Sequence, residues 1–151
     1  MPRWRVWAND EDGSAAVEFI TAGVILLVPF VYLIITLGGM QQSLLGVEAA
    51  ARHTARVIGQ AEDAPSAATR GDAVIASVID EYQLEAERVQ IAMHCVPSGI
   101  ECPSTGATVV VTVSTRVSLP FVPAVFGLDE ATSIPLEAVA AQKVSRLWGT
   151  Q

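Results

Sequence analysis

The residues best suited to covalent or metal chemistry are His94, Cys95 and Cys102, in the stretch HCVPSGIEC. Two thiols separated by a short loop that contains Pro and Gly can form a disulfide if the compartment permits oxidation. The same three side chains could instead bind a metal ion, although three ligands so close together, without a second pair, make a poor site. We predict a disulfide between Cys95 and Cys102, with no bound metal and no cofactor.

Glu18 is the second residue with a chemical consequence, because it is the one charged residue within the apolar stretch 13–40. A carboxylate in hydrocarbon costs on the order of 3 kcal/mol, so it needs a positive partner or access to the headgroups. If the chain were cut after Gly13, the new amino group of Ser14 would lie about one helical turn away. It could then pair with Glu18 of the same or a neighbouring chain. The alternative is that Glu18 reaches the headgroups from one turn inside the helix.

No other set of side chains has the spacing of a catalytic site. The sequence has no Gly-rich phosphate loop and no Ser/His/Asp arrangement with supporting context. Glu85 and Glu87, like Asp129 and Glu130, are carboxylate pairs in predicted loops, where such pairs are usually solvated. His53 is interpreted as a polar-face residue of a helix. We predict that the chain is not an enzyme, has no small-molecule substrate and has no catalytic residue.

The stretch 14–40 predicts a transmembrane helix. A bilayer core of about 30 Å needs about 20 helical residues, and the sequence has no Asp, Glu, Lys or Arg from residue 19 to residue 47. A buried helix of a soluble domain is the alternative, but such helices are usually shorter and keep a polar stripe. A secretory signal peptide does not fit, because the small-residue cluster GSAA precedes the apolar run instead of following it.

The start of this stretch resembles a known processing site. Gly13 is followed by SAAV and then by Glu18 and the aromatic Phe19, an order similar to that of type IV pilins and pseudopilins. The block GSAAVEFITAGVILLVPF…EAAARHTAR, residues 13–56, resembles the TadE-like family of pilus assembly proteins. The resemblance implies that a prepilin peptidase cuts between Gly13 and Ser14, and that Glu18 and Phe19 act in subunit packing.

The same resemblance implies a function, a set of partners and a location. The chain would be a minor pseudopilin that acts in assembly of a Tad-type, type IVb-like pilus. Its partners would be the membrane, the prepilin peptidase, other pilin-like subunits and Tad assembly proteins. It would cross the cytoplasmic (inner) membrane once, with its C-terminal domain extracytoplasmic. The alternative is an uncut, single-pass anchored protein whose extracytoplasmic domain binds another envelope protein.

The net charge excludes one further class of function, and the length limits the number of domains. The net charge of the 151 residues is −7, and it is −6 once residues 1–13, with two Arg and three acidic residues, are removed. Nucleic-acid binding needs a basic surface, so no nucleic-acid partner is expected. The roughly 100 residues beyond the membrane segment suffice for one small domain, not two.

The chain is predicted to divide into four segments: a leader at 1–13, a transmembrane helix at 14–40, an amphipathic helix extension at 41–60 and a small α+β domain at 61–151. The extension has apolar residues at helical spacing, and Glu48 and Arg52 stand in the favourable order for an i,i+4 ion pair. Pro29 and the Gly38-Gly39 pair are the expected bends of this long helix.

Within the domain, the composition of residues 61–73 predicts a linker, followed by a helix from Val74 for which Asp72 could be the N-cap. Beyond it the hydrophobic period changes to two, which predicts about three strands, at 88–95, 107–119 and 133–144. Short connections favour an antiparallel sheet. The apolar link at 120–132 is expected to cover the sheet, or else to contact the membrane or a partner.

Overall fold

The computed structural model describes residues 12–120 and 132–149. Helix α1 comprises Asp12–Gly59, and helix α2 comprises Ala64–Glu81. Strands β1 (Gln90–Val96), β2 (Thr108–Val117) and β3 (Ile134–Lys143) follow. The predicted fold class is confirmed: a long N-terminal helix, one further helix and a three-stranded antiparallel sheet. Most of the predicted leader, residues 1–11, and most of the apolar link, residues 121–131, lie outside the described residues.

The chain forms two compact units, Met1–Leu37 and Gly38–Gln151, and the boundary between them falls inside α1. Helix α1 is assigned without interruption through Pro29 and through Gly38 and Gly39. The first unit contains the apolar part of this helix. The second unit contains the remainder of α1, together with α2 and the sheet.

The core of the second unit lies between its helices and one face of the sheet. The strands are in the order β1-β2-β3, and β2 is antiparallel to both neighbours. Side chains of a strand alternate between its two faces, and the central strand follows this rule: Val109, Val111 and Val113 are fully buried while the residues between them are half-buried. These valines form one buried cluster with residues of α1 and α2, including Val47, Ala51, Ala55 and Val78.

Two glycines allow the close contacts of α1 in this unit. A Cβ atom built on Gly46 would lie 2.8 Å from Cβ of Tyr82, which follows α2. A Cβ atom on Gly59 would lie 2.6 Å from Cγ of Gln142 on β3. Both distances are shorter than a van der Waals contact, so a larger residue at either position would force the elements apart.

Helix α2 begins at Ala64, earlier than predicted, so the linker predicted at 61–73 is wrong beyond residue 63. The carboxylate of Asp63 accepts a hydrogen bond of 2.8 Å from the backbone N–H of Ser66, and the N–H of Asp63 donates to Oγ of Ser66 at 3.3 Å. This is a capping box. Pro65 stands at the start of the helix, where the missing N–H has no cost. Asp72, the predicted N-cap, therefore lies inside the helix.

The glycine inside α2 has a packing role rather than a linker role. Gly71 is buried, and a Cβ atom there would lie 3.7 Å from the side chain of Ile58 and 3.9 Å from Cγ2 of Thr54. Helix α2 therefore lies close against α1 at this point. A glycine at such a contact is compatible with a helix, although its intrinsic helix propensity is low.

The strands lie close to the predicted ranges, with a later start for β1. Residues Ala86–Arg88 form one turn of 3-10 helix, so the strand begins at Gln90 instead of residue 88. Arg88 is held there by an ion pair of 2.7 Å to Glu85 and by a hydrogen bond to Ser118. Its side chain therefore links the start of β1 to the segment after β2.

The segment after β3 is hydrogen-bonded to the end of α1 and to the residues that follow it. The N–H of Ser145 donates to the carbonyl of Gly59 at 2.8 Å, and the N–H of Gly149 donates to the carbonyl of Glu62 at 2.7 Å. These bonds satisfy carbonyl groups at and beyond the end of α1, which a helix cannot satisfy internally.

Candidate functional site

The first candidate site is the outward surface of α1 in the first unit. One helix of the described chain, over Ala15–Gly59, is long and apolar enough to cross a membrane. No residue in the most apolar stretch of this helix is buried. Large apolar side chains along it are mostly more than half exposed, among them Phe19 81%, Leu26 73%, Ile25 65% and Phe30 59%. Such a surface is stable in hydrocarbon and unfavourable in water.

Two threonine hydroxyl groups in this segment are satisfied within the helix. Oγ1 of Thr21 donates to the carbonyl of Val17 at 2.7 Å, and Oγ1 of Thr36 donates to the carbonyl of Tyr32 at 2.9 Å. Bonds from a side chain to the carbonyl four residues earlier are the usual way to satisfy a hydroxyl where water is absent. Pro29 has no N–H to donate, so the carbonyl of Ile25 loses its usual helical partner.

Helix α1 contains all four residues of the predicted processing and packing site. Gly13 and Ser14 lie in its first turn, and Glu18 and Phe19 follow in the same helix. Positions 14 and 18 are four residues apart, so they share one face of the helix. Glu18 is exposed and forms no ion pair within residues 12–120 and 132–149. The backbone therefore places a terminal amino group, if one were made at Ser14, beside the Glu18 position.

The second candidate site is the cysteine pair. Cys95 at the end of β1 and Cys102 in the following loop form a disulfide, with their Cα atoms 5.5 Å apart. Cys95 is buried, while its neighbour His94 is exposed on the opposite face of β1. Across the described parts of the chain, no group of three or more His, Cys, Asp or Glu side chains is arranged to hold a metal ion.

A third site was not anticipated as a site from the sequence. A surface cleft of about 360 Å³ lies along α1 in the second unit. Its lining residues are Leu45, Glu48, Ala49, Arg52, His53, Arg56 and Tyr82. We call it the cationic cleft, because its lining has two arginines and a single carboxylate. The spacing at 48, 49, 52, 53 and 56 is the signal that could have identified one helix face, but Tyr82 comes from a distant part of the sequence.

One pair of charges in the cationic cleft was predicted and is confirmed. Nη2 of Arg52 lies 2.7 Å from Oε2 of Glu48, in the expected i,i+4 arrangement. Because Arg52 is 72% exposed, the pair stabilises the helix by only about 0.3 kcal/mol. The side chains of His53 and Arg56 make no hydrogen bond or ion pair with any residue that the structure describes. Their polar groups are therefore available at the surface.

The carboxylate pairs considered for catalysis do not form a common site. Glu85 is paired with Arg88, and Glu87 is exposed beside it. Asp129 and Glu130 lie outside the described residues. One carboxyl has a shifted pKa, at the helix cap: hydrogen bonds from Ser66, through its side chain and then its backbone N–H, hold the pKa of Asp63 below its ordinary value.

No protein-family model, curated protein or solved structure matches this chain.

Proposed function

We propose that this chain is a TadE-like minor pseudopilin that acts in assembly of a Tad-type pilus. The observation that supports the proposal best is the composition of α1. An exposed apolar surface follows the Gly13-Ser14 bond and Glu18 directly, and the same helix continues into a small α+β unit. A subunit with this design anchors itself in a bilayer and presents a folded domain at the surface.

In this proposal a prepilin peptidase removes residues 1–13 and leaves Ser14 as the new N-terminus. The new ammonium group then pairs with Glu18 of the same or a neighbouring subunit. A carboxylate in hydrocarbon costs on the order of 3 kcal/mol without such compensation. Pairing between neighbouring subunits therefore favours their association in the membrane, and Phe19 lies in the contact.

The domain 38–151 is then extracytoplasmic, and the cytoplasmic membrane holds the protein by a single span. The Cys95–Cys102 disulfide is compatible with this location, since disulfides persist in oxidising compartments. The chain itself carries out no catalysis in this proposal. Its partners are the peptidase, other pilin-like subunits and the proteins of the Tad assembly machinery.

The second candidate is an uncut anchored protein whose domain binds another envelope protein. One observation favours it: α1 begins at Asp12, so the Gly13-Ser14 bond lies in a helical turn. Proteolytic cutting is generally easiest in exposed, locally unfolded chain. The acidic residues Asp10, Glu11 and Asp12 before the bond also differ from the basic flank expected of the family.

Intact-mass measurement of the protein extracted from its native membrane separates these candidates. The pseudopilin reading expects a chain that lacks residues 1–13, and a Gly13→Leu variant that keeps them. A wild-type chain of full mass, from cells with an active prepilin peptidase, would leave the uncut anchor as the function.

The Glu18 mechanism has its own test. Glu18→Gln should be cut as the wild type is, because the carboxylate is proposed to act after cleavage. It should crosslink less to pilin-like partners, since the ion pair with Ser14 is lost. Thr21→Val, one turn further on, is a matched control. If Glu18→Gln crosslinks as strongly as the control, Glu18 is a residue that reaches the headgroups and has no role in packing.

A further inference from the structure

Charge is distributed unevenly within the second unit. Residues 38–61, the part of α1 in this unit, carry two Arg and one Glu, a net charge of +1. Residues 62–151 carry five basic and eleven acidic residues, a net charge of −6. The lining of the cationic cleft has two Arg and one Glu, a net charge of +1, in a domain whose net charge is otherwise negative. Tyr82 in this lining directly follows Glu81, so the acidic end of α2 borders the cleft in the same copy.

The acidic part of the domain includes a helix end that is electrostatically unfavourable. Helix α2 ends at Glu81, and both Asp80 and Glu81 lie in its last turn, which has no basic residue. The C-terminal end of a helix carries partial negative charge, so cations stabilise it and carboxylates destabilise it. Both side chains are exposed, and neither forms an ion pair within the described parts of the chain. These two carboxylates lack the cation that their position favours.

The cationic cleft has the complementary arrangement. His53 and Arg56 have no partner among the described residues, and Leu45, Ala49 and Tyr82 provide an apolar wall beside them. A cleft of about 360 Å³ can hold one or two side chains of another protein. Opposite charges that meet in a partly desolvated cleft attract more strongly than they do in open water.

We propose that the cationic cleft of one copy of this protein binds the Asp80-Glu81 end of α2 of a second copy. The contact supplies the Arg56 guanidinium to two carboxylates at the negative end of a helix, and it places the side chain of His53 within reach of a hydrogen-bond partner. A second copy is the occupant, because one chain has both halves of the complementary pair. This contact lies in the second unit and is independent of cleavage and of Glu18, so it extends the proposed function without resting on it.

The test uses the full chain in phosphatidylcholine vesicles and measures energy transfer between donor-labelled and acceptor-labelled copies. Arg56→Glu should weaken association about tenfold, because it places like charges together. The double variant Asp80→Lys with Glu81→Lys should weaken it similarly. Mixing donor-labelled copies of the first variant with acceptor-labelled copies of the second should restore the transfer. Arg116→Glu, the same charge change at an exposed position on β2, should have no effect.

Several results would overturn the contact. Wild-type copies that show no transfer above that of an unrelated single-span protein would do so. So would undiminished transfer in Arg56→Glu, or no restoration on mixing when both variants melt at the wild-type temperature. If a charge reversal lowers the melting temperature, the neutral variants Arg56→Gln and Glu81→Gln replace it, and unchanged association in them counts against the proposal. A chain that fails the cleavage test and still passes this one keeps the contact without the pilus function.

Discussion

One helix, α1, has two opposite relations to its surroundings in the two units. Before Leu37 its apolar side chains point outward, and Phe19 is 81% exposed. After Gly38 its small and β-branched residues are buried, and Val47 is fully so. The comparison shows that apolar composition alone does not define a core. In the first unit the apolar side chains require an apolar medium outside the fold, such as a bilayer, and in the second unit the fold itself provides that medium.

The largest difference between the units in the free energy of unfolding is expected when a glycine is replaced by leucine. Gly46→Leu in the second unit should lower the free energy of unfolding by about 3 kcal/mol, because a Cβ atom there already meets Tyr82 at 2.8 Å. Gly23→Leu in the first unit is the matched control, since nothing lies within 4 Å of its Cβ position. Denaturant unfolding of the reconstituted protein measures both. Equal effects would show that the second unit lacks the close contact described.

A smaller effect is expected for the same valine truncation at two positions. Val111→Ala should destabilise the domain by about 2 kcal/mol, because Val111 is fully buried in the central strand and the lost methyl groups leave a cavity. Val24→Ala should leave domain unfolding unchanged, since Val24 is 53% exposed in the first unit. Thermal unfolding followed by circular dichroism would compare them. A destabilising Val24→Ala would contradict the separation of the units.

The smallest effect is expected at the start of α2. Asp63→Ala removes the capping box and should lower the free energy of unfolding at neutral pH by less than either substitution above. Asp72→Ala, inside the same helix, should cost nothing measurable. Because the pKa of Asp63 is lowered in the folded chain, its contribution is complete above the ordinary aspartate pKa and is lost as the pH falls through the lowered value. The difference in stability between the wild type and Asp63→Ala should therefore narrow at acid pH, where the protonated carboxyl keeps only a neutral hydrogen bond to Ser66. A difference that does not change with pH would count against the charged cap.

Hydrophobic period made most of the fold predictable from the sequence. Alternation along residues 108–117 located β2 and its buried face, and the unbroken apolar run located the outward part of α1. The start of α2 was not predictable in this way. Ser66, Gly71 and Asp72 are typical of a linker by composition, and only the pairing of Asp63 with Ser66 and the contact of Gly71 with Ile58 make them helical.

The candidate sites also differ in whether the sequence alone predicts them. Gly13, Ser14 and Glu18 are close in sequence, so a helix alone determines their spacing, and the loop between Cys95 and Cys102 is short enough to predict a pairing. The cationic cleft needs Tyr82 beside Ala49 and His53, and that contact depends on how α2 packs against α1. Sequence periodicity contains no information about such a distance, so the sequence predicts only a polar-face position for His53.

The hydrogen bond from Ser145 to the carbonyl of Gly59 has a consequence for the order of events during synthesis. A ribosome completes α1 long before it adds Ser145, so the end of that helix has no partner while most of the domain is being made. The apolar half of α1 needs no such later partner. If it crosses a membrane, as we propose, it can insert before Ser145 is made, and the domain would then complete its structure while already tethered.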